Sequence, residues 1–250
     1  MQLQMADDVG EDTKNEKTLC DPVSQQDDVK ELLDLPFELL ENVATSALLP
    51  RDLFAFAISG TQLRDAARNA IFEAKRVDAF LKKVCSSLEQ IRGATVLEWP
   101  WKGVTDDDSA VLAHLIGSGP VAKMAGLFLA YNQIGDEGLK SLSAALGSRA
   151  VSKLEQLWLN GNQIGDAGLK SLSAALGSGA VPKLEGLVLA GNQIGDAGLK
   201  SLSAALGSGA VPKLKKIYVD TKDKNHQQLK AACSERGVEI VSSCEFVFYS

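Results

Sequence analysis

Histidine is nearly missing from this chain, with His114 and His226 its only copies in 250 residues. Neither falls in a pattern that gives it a partner for base catalysis, so a general-base mechanism is not expected. Cysteine is equally sparse: Cys20, Cys85, Cys233 and Cys244 are scattered without a CxxC pair. That spacing argues for reduced thiols instead of a disulfide or zinc framework. No apolar run approaches the roughly 20 residues a membrane-spanning helix requires. The opening MQLQMADDVGEDTKNEKTLC also lacks the basic-then-apolar order of a secretion signal. A cytoplasmic or nuclear location is therefore expected. Aromatics make up 6% of the residues but hydrophobic residues 45%, so the apolar material is mostly aliphatic and sufficient for a core.

Other patterns fail as sites on inspection. GLKS, at Gly138, Gly168 and Gly198, is no phosphate loop, because a leucine of the core stripe separates glycine from lysine. Asp106 to Asp108 could attract a divalent ion, but Asp106 matches the aspartate that opens each later helix, and capping is the better reading. Lys213, Lys215, Lys216, Lys222 and Lys224 form a basic end with only Tyr218 interleaved, short of a nucleic-acid signature. No enzyme, metal site or cofactor is expected.

Charge is unevenly spread. Residues 1 to 34 carry ten acids against three lysines, while the whole chain has a formal charge of −6. This polar stretch cannot bury enough surface to offset the entropy of ordering, so residues 1–33 are expected to be a disordered acidic tail.

What is abundant is repetition. NQIGDAGLKSLSAALGSGAVPKL runs from Asn162 to Leu184 and again, letter for letter, from Asn192 to Leu214. Asn132, Asn162 and Asn192 are 30 apart, each preceded by a leucine pair two apart: Leu127 and Leu129, Leu157 and Leu159, Leu187 and Leu189. Period 2 turns both leucines to one side of an extended segment. Leu169, Leu172 and Leu176 then form a helical stripe. The asparagine amide suits the backbone groups of the bend between them. Asp166 is the expected N-cap of the helix and Gly177 its expected C-cap. The pattern LxLxxNxI followed by a helix resembles leucine-rich repeats of the long-unit class found in ribonuclease inhibitor. The resemblance spans about residues 95 to 240 and implies an α/β solenoid of parallel strands and helices over 95–250. Degenerate end units fit by shifts of 30: Leu97, Trp99, Val104 and Asp106 upstream, Ile217 and Val219 downstream, with Lys102 and Lys222 in place of asparagine. VEIVSSCEFVFYS is expected to add a strand at the open end.

The copies differ mainly in the strand. Between the units opening at Asn162 and Asn192 every difference lies in 185–191 against 215–221. The residues between the inward leucines face the concave side of such a solenoid, giving the ladder Phe128, Trp158, Val188 and Tyr218. Gly126, Gln156, Gly186 and Lys216 flank it on one side, and Ala130, Asn160, Ala190 and Asp220 on the other. With Tyr131, the residues Phe128, Gln156, Trp158, Asn160, Val188, Lys216, Tyr218 and Asp220 are the candidate contacts for a protein substrate, since exposed aromatics anchor interfaces. Drift on an open sheet face is the competing explanation.

Upstream, LPFELLENVATSALLPRDLFAFAISGTQLRDAA repeats apolar residues at helical spacing, with Pro36 and Pro50 at helix starts. The order LPxELL, LLPRDL, LRDAA resembles an F-box over residues 34–68, although Leu63 stands where many members carry tryptophan. The resemblance implies docking on the adaptor subunit of an SCF-type cullin ubiquitin ligase through Leu35, Pro36, Leu39, Leu40, Val43, Leu49, Pro50, Leu53 and Phe56. A helical cap for the first repeat is the plainer alternative. Residues 69–94 should form a linker helix with a stripe through Phe72, Val77, Phe80, Leu81 and Val84. The expectation is a non-catalytic recruiter, monomeric outside the complex, that binds protein but no nucleic acid or membrane. A repeat scaffold or inhibitor without ligase association, or a GTPase activator, is the alternative.

Overall fold

The computed structural model describes residues 72, 73, 75–119, 121–220 and 227–242. The chain divides into two units, Met1–Phe72 and Glu73–Ser250. The acidic tail, the F-box-like module with its adaptor-docking residues, Lys222, His226 and residues 243–250 lie outside the described residues.

The 30-residue period becomes a stack of strand–helix units. In chain order come α1 (residues 75–84), α2 (Leu88–Gly93), β1 (Val96–Glu98), α3 (Asp106–Gly117), β2 (Gly126–Phe128), α4 (Asp136–Gly147) and β3 (Gln156–Trp158). After them come α5 (Asp166–Gly177), β4 (Gly186–Val188), α6 (Asp196–Gly207), β5 (Lys216–Val219), α7 (Gln227–Glu235) and β6 (Glu239–Ser242). The six strands form one parallel sheet in sequence order, β1 to β6. The register follows the period: Leu97, Leu127, Leu157, Leu187 and Ile217 are successive partners. β6 extends the sheet, with Ile240 opposite Ile217.

The core lies between the sheet and the helices. Leu127, Leu129, Leu159 and Leu187 from the strands meet Leu139, Leu169, Leu172 and Leu176 from the helices, all without solvent exposure. Each such leucine contributes on the order of 1.5–3 kcal/mol relative to an exposed one. Val151, Leu154, Val181 and Leu184 close the units at the turn back into the sheet, also buried.

Two polar side chains per unit join neighbours, and this is more than the sequence pattern implied. Asn162 Oδ1 accepts from the Ile134 N–H at 3.1 Å, while its Nδ2 donates to the carbonyls of Leu129 at 2.9 Å and Leu159 at 3.0 Å. Asn132 and Asn192 repeat this arrangement. The amide therefore serves the bend of the preceding unit as well as its own. The aspartate differs from expectation. Gly165, not Asp166, is the N-cap of α5, and it has no side-chain cap. Asp166, the first residue inside the helix, turns its carboxylate to the next unit, where Oδ1 accepts from the N–H groups of Gly195 at 2.8 Å and Gly198 at 2.9 Å. The open N-terminus of α6 is satisfied by its neighbour's charge, with the helix dipole adding attraction. Gly198 permits this approach: a Cβ there would lie 2.7 Å from that oxygen and 3.2 Å from the Asp166 Cα. The C-terminal end also differs. Gly177 is the last helical residue, Ser178 is the C-cap, and the left-handed turn falls on Gly179 at φ +71.

Before β1, α1 and α2 cover the first unit. Val77, Phe80, Leu81 and Val84 are buried, and Phe80 packs edge-on against Trp99 with centroids 5.3 Å apart. Phe72 departs from the expected stripe and is exposed. The helical run breaks at Cys85, φ +55, and restarts at a capping box in which Ser87 and Gln90 exchange hydrogen bonds.

Candidate protein-binding face

Alternation along the strands sorts the candidates. With the leucines turned to the core, Glu98, Phe128, Trp158, Val188 and Tyr218 fall in one register row on the sheet face away from the helices. Glu98 is exposed, and Phe128, Trp158 and Tyr218 are half-buried. Val188 is corrected as a contact: it is 1% exposed, set between the larger Trp158 and Tyr218 in register. In the row before, Gln156 is half-buried and Lys216 exposed. The glycines of that row make space. A Cβ at Gly126 would stand 3.3 Å from the Phe128 ring, and one at Gly186 would collide with the Gln156 amide. Lys216 reaches Glu239 at 3.2 Å, and this hydrogen bond holds its ammonium pKa above the usual value.

Aromatic rings gather at one end of this face. Phe128 and Trp158 lie with centroids 4.5 Å apart, tilted by 35°. At the adjoining bend Trp101 and Tyr131 stack in parallel, 4.1 Å apart with 1° between planes. Both have left-handed backbones, φ +60 and +55, at the register position where later units carry Gly161 and Gly191, φ +67 and +72. A bulky residue there is a backbone outlier costing on the order of 1–3 kcal/mol, and such strain persists mostly where a function requires the side chain. Gly161 is also where the Tyr131 ring lies, in space that any Cβ would occupy. Trp101, 70% exposed, is absent from the sequence-derived candidates. Its signal was available, because it precedes Tyr131 by 30.

The last row holds Asn160, 4% exposed, and half-buried Asp220. Asp220 Oδ2 accepts from the Gly191 N–H at 2.5 Å. Asn160 Oδ1 is buried and has no hydrogen-bond partner among the described residues. Buried acceptors without donors are uncommon and costly.

The remaining candidates are occupied structurally. Asp106 Oδ1 accepts from the Gly135 N–H at 2.6 Å, and Asp108 joins Thr105 in a capping box. Asp108 also pairs with Lys83 of α1 at 2.5 Å. Burial alone would raise the Asp108 pKa, but the bonds from Lys83 and Thr105 outweigh it and hold the carboxyl below its ordinary value. Lys215 pairs with Glu185 at 2.7 Å, which lowers the Glu185 pKa. Burial pushes the Cys233 thiol to about 11, whereas Cys85 is exposed. Among the described residues no group of three or more His, Cys, Asp and Glu side chains could hold a metal. No helix among them is long and apolar enough to cross a membrane.

A family model described as Leucine Rich repeat matches residues 127–143, 152–173 and 182–203. The repeated units are leucine-rich repeats. The matched segments pair a strand and its helix, and the leucine-rich repeat units stack as the parallel sheet and helix layer described above. A solved internalin (inlF) from Listeria monocytogenes is similar at 15% identity over 67% of this chain and 73% of that one, with a TM-score of 0.23. None of the curated proteins compared with the chain matches it. Leucine-rich repeat domains bind protein partners, and the strand face is where this one varies.

Proposed function

We propose that this chain is a non-catalytic recruiter that grips a protein through the strand face of its leucine-rich repeats. The observation that carries this reading is the Trp101–Tyr131 stack, held on left-handed backbone where glycine would be free of strain. With Phe128 and Trp158 beside it, the face offers four rings at one end, and large rigid aromatics supply much of interface energy. Drift predicts the opposite at this position, since neutral change would settle on residues that tolerate a positive φ. Affinity purification of the full chain, compared with a Trp158→Ala, Tyr218→Ala double variant, tests the reading. Specific partners should be lost from the variant. Equal capture by both would leave the ladder as drift.

In its finer form the proposal assigns the F-box-like stretch to the adaptor of an SCF-type cullin ubiquitin ligase, through Leu35, Pro36, Leu39, Leu40, Val43, Leu49, Pro50, Leu53 and Phe56. The support is the order of its motifs in the sequence. The protein would then act in the cytoplasm or nucleus, bringing a substrate on the repeats to the ligase. Capture of the purified adaptor by the full chain, abolished by Leu39→Asp with Leu40→Asp, is the expected result. Capture unaffected by those changes, or none by the wild type, rejects it.

A further inference from the structure

The charges on the strand face identify what kind of segment it takes, given the recruiter reading above. Glu98 is exposed at the head of the row that continues with Phe128 and Trp158, and makes no ion pair among the described residues. Of the other charges on this face, Lys216 is matched by Glu239, and Asp220 adds a further acid. Lys102, on the neighbouring turn, points to Cys85, with Nζ 3.8 Å from Sγ. The face is therefore aromatic and net acidic, and two of its acceptors, the Glu98 carboxylate and the buried Asn160 Oδ1, have no donor among the described residues.

We propose that the face binds an arginine-bearing segment of its partner protein, with the guanidinium laid on the Phe128 and Trp158 rings beside Glu98. A guanidinium is donor-only, planar and weakly hydrated, so it stacks on a ring and bonds a carboxylate at the same time. Glu98 and Phe128 sit on adjacent strands, about 4.8 Å apart, within one guanidinium's reach. Asn160 lies just after β3, two strands from Glu98, and its Oδ1 is buried, so it is no part of this contact. Lysine offers the charge without the stacking plane and binds less tightly.

The test pans an unbiased ten-residue peptide library over the full chain, then measures selected peptides by anisotropy against wild type, Glu98→Gln and Trp158→Ala. Glu98 is exposed, so its variant keeps the fold, which circular dichroism checks. Selected peptides should be enriched in arginine and lose affinity with rising salt. They should bind Glu98→Gln about fivefold more weakly and Trp158→Ala more weakly still. Peptides that need Trp158 but lack arginine, or ignore Glu98→Gln, overturn the arginine assignment and leave the binding face standing. Peptides indifferent to Trp158→Ala, or no selection at all, overturn the face and the assignment with it.

Discussion

One asparagine in each unit satisfies backbone groups of two units at once, so its loss should be felt beyond its own bend. Asn162→Ala strands the buried Ile134 N–H, while the Leu129 and Leu159 carbonyls each keep one donor, from Asn132 and Asn192. The expected cost is about 2 kcal/mol, read from the urea midpoint. The glycines of the repeat helices make a sharper contrast, because one substitution should act with opposite sign at two places. Gly168→Ala puts a Cβ 2.7 Å from the Asp136 carboxylate and 3.1 Å from the Asp136 Cα, forcing apart the bonds that cap α5. It should destabilise by about 1–2 kcal/mol despite alanine's better helix propensity. Gly207→Ala meets nothing within 4 Å and should be neutral or slightly stabilising in the same assay. At Trp101 the same reasoning separates stability from binding. Trp101→Gly relieves the left-handed strain while losing about 1 kcal/mol of ring stacking. Its thermal midpoint should therefore stay near wild type while partner capture falls.

At the scale of elements, the first repeat depends on the join between α1 and α3. Asp108 has a folded pKa below its ordinary 3.8, so it stabilises the fold above that value and the contribution disappears as pH falls through the lowered pKa. Asp108→Asn should be less stable at pH 7 and should lose less on acidification below about pH 4. Parallel thermal melts at pH 7 and pH 3 check the difference in slope. Much of this level was legible in the sequence. The 30-residue shift gave the strand register, because leucines two apart have one way to face a shared core. The asparagine's task followed from its donor and acceptor inventory. Asp166 was harder, because an aspartate opening a helix looks like that helix's own cap, and its reach into the next unit exists only in the stack. The signal was indirect: a glycine three residues into each of α4, α5 and α6 has no local reason and marks a close approach. Trp101 escaped because the first unit was aligned on its leucines alone, although the same shift from Tyr131 reaches it. Val188's burial depends on the side chains to either side, which register alone does not specify.

Across the whole repeat stack, units touch mainly their neighbours, so stability accumulates unit by unit and the strand face is free to vary. The near-identical helices α4 to α6 beside diverging strands divide the repeats into a scaffold and a reading surface. The ring-rich end, Trp101 to Trp158, is where a partner should sit, and the helix face, with Lys170 exposed on α5, is where it should not. Site-specific photo-crosslinking in cells compares these directly, with benzoylphenylalanine placed at position 128 in one preparation and at position 170 in another. The account predicts a discrete protein adduct from position 128 and none from position 170. Adducts from position 170 alone, or the same adduct from both, would contradict it.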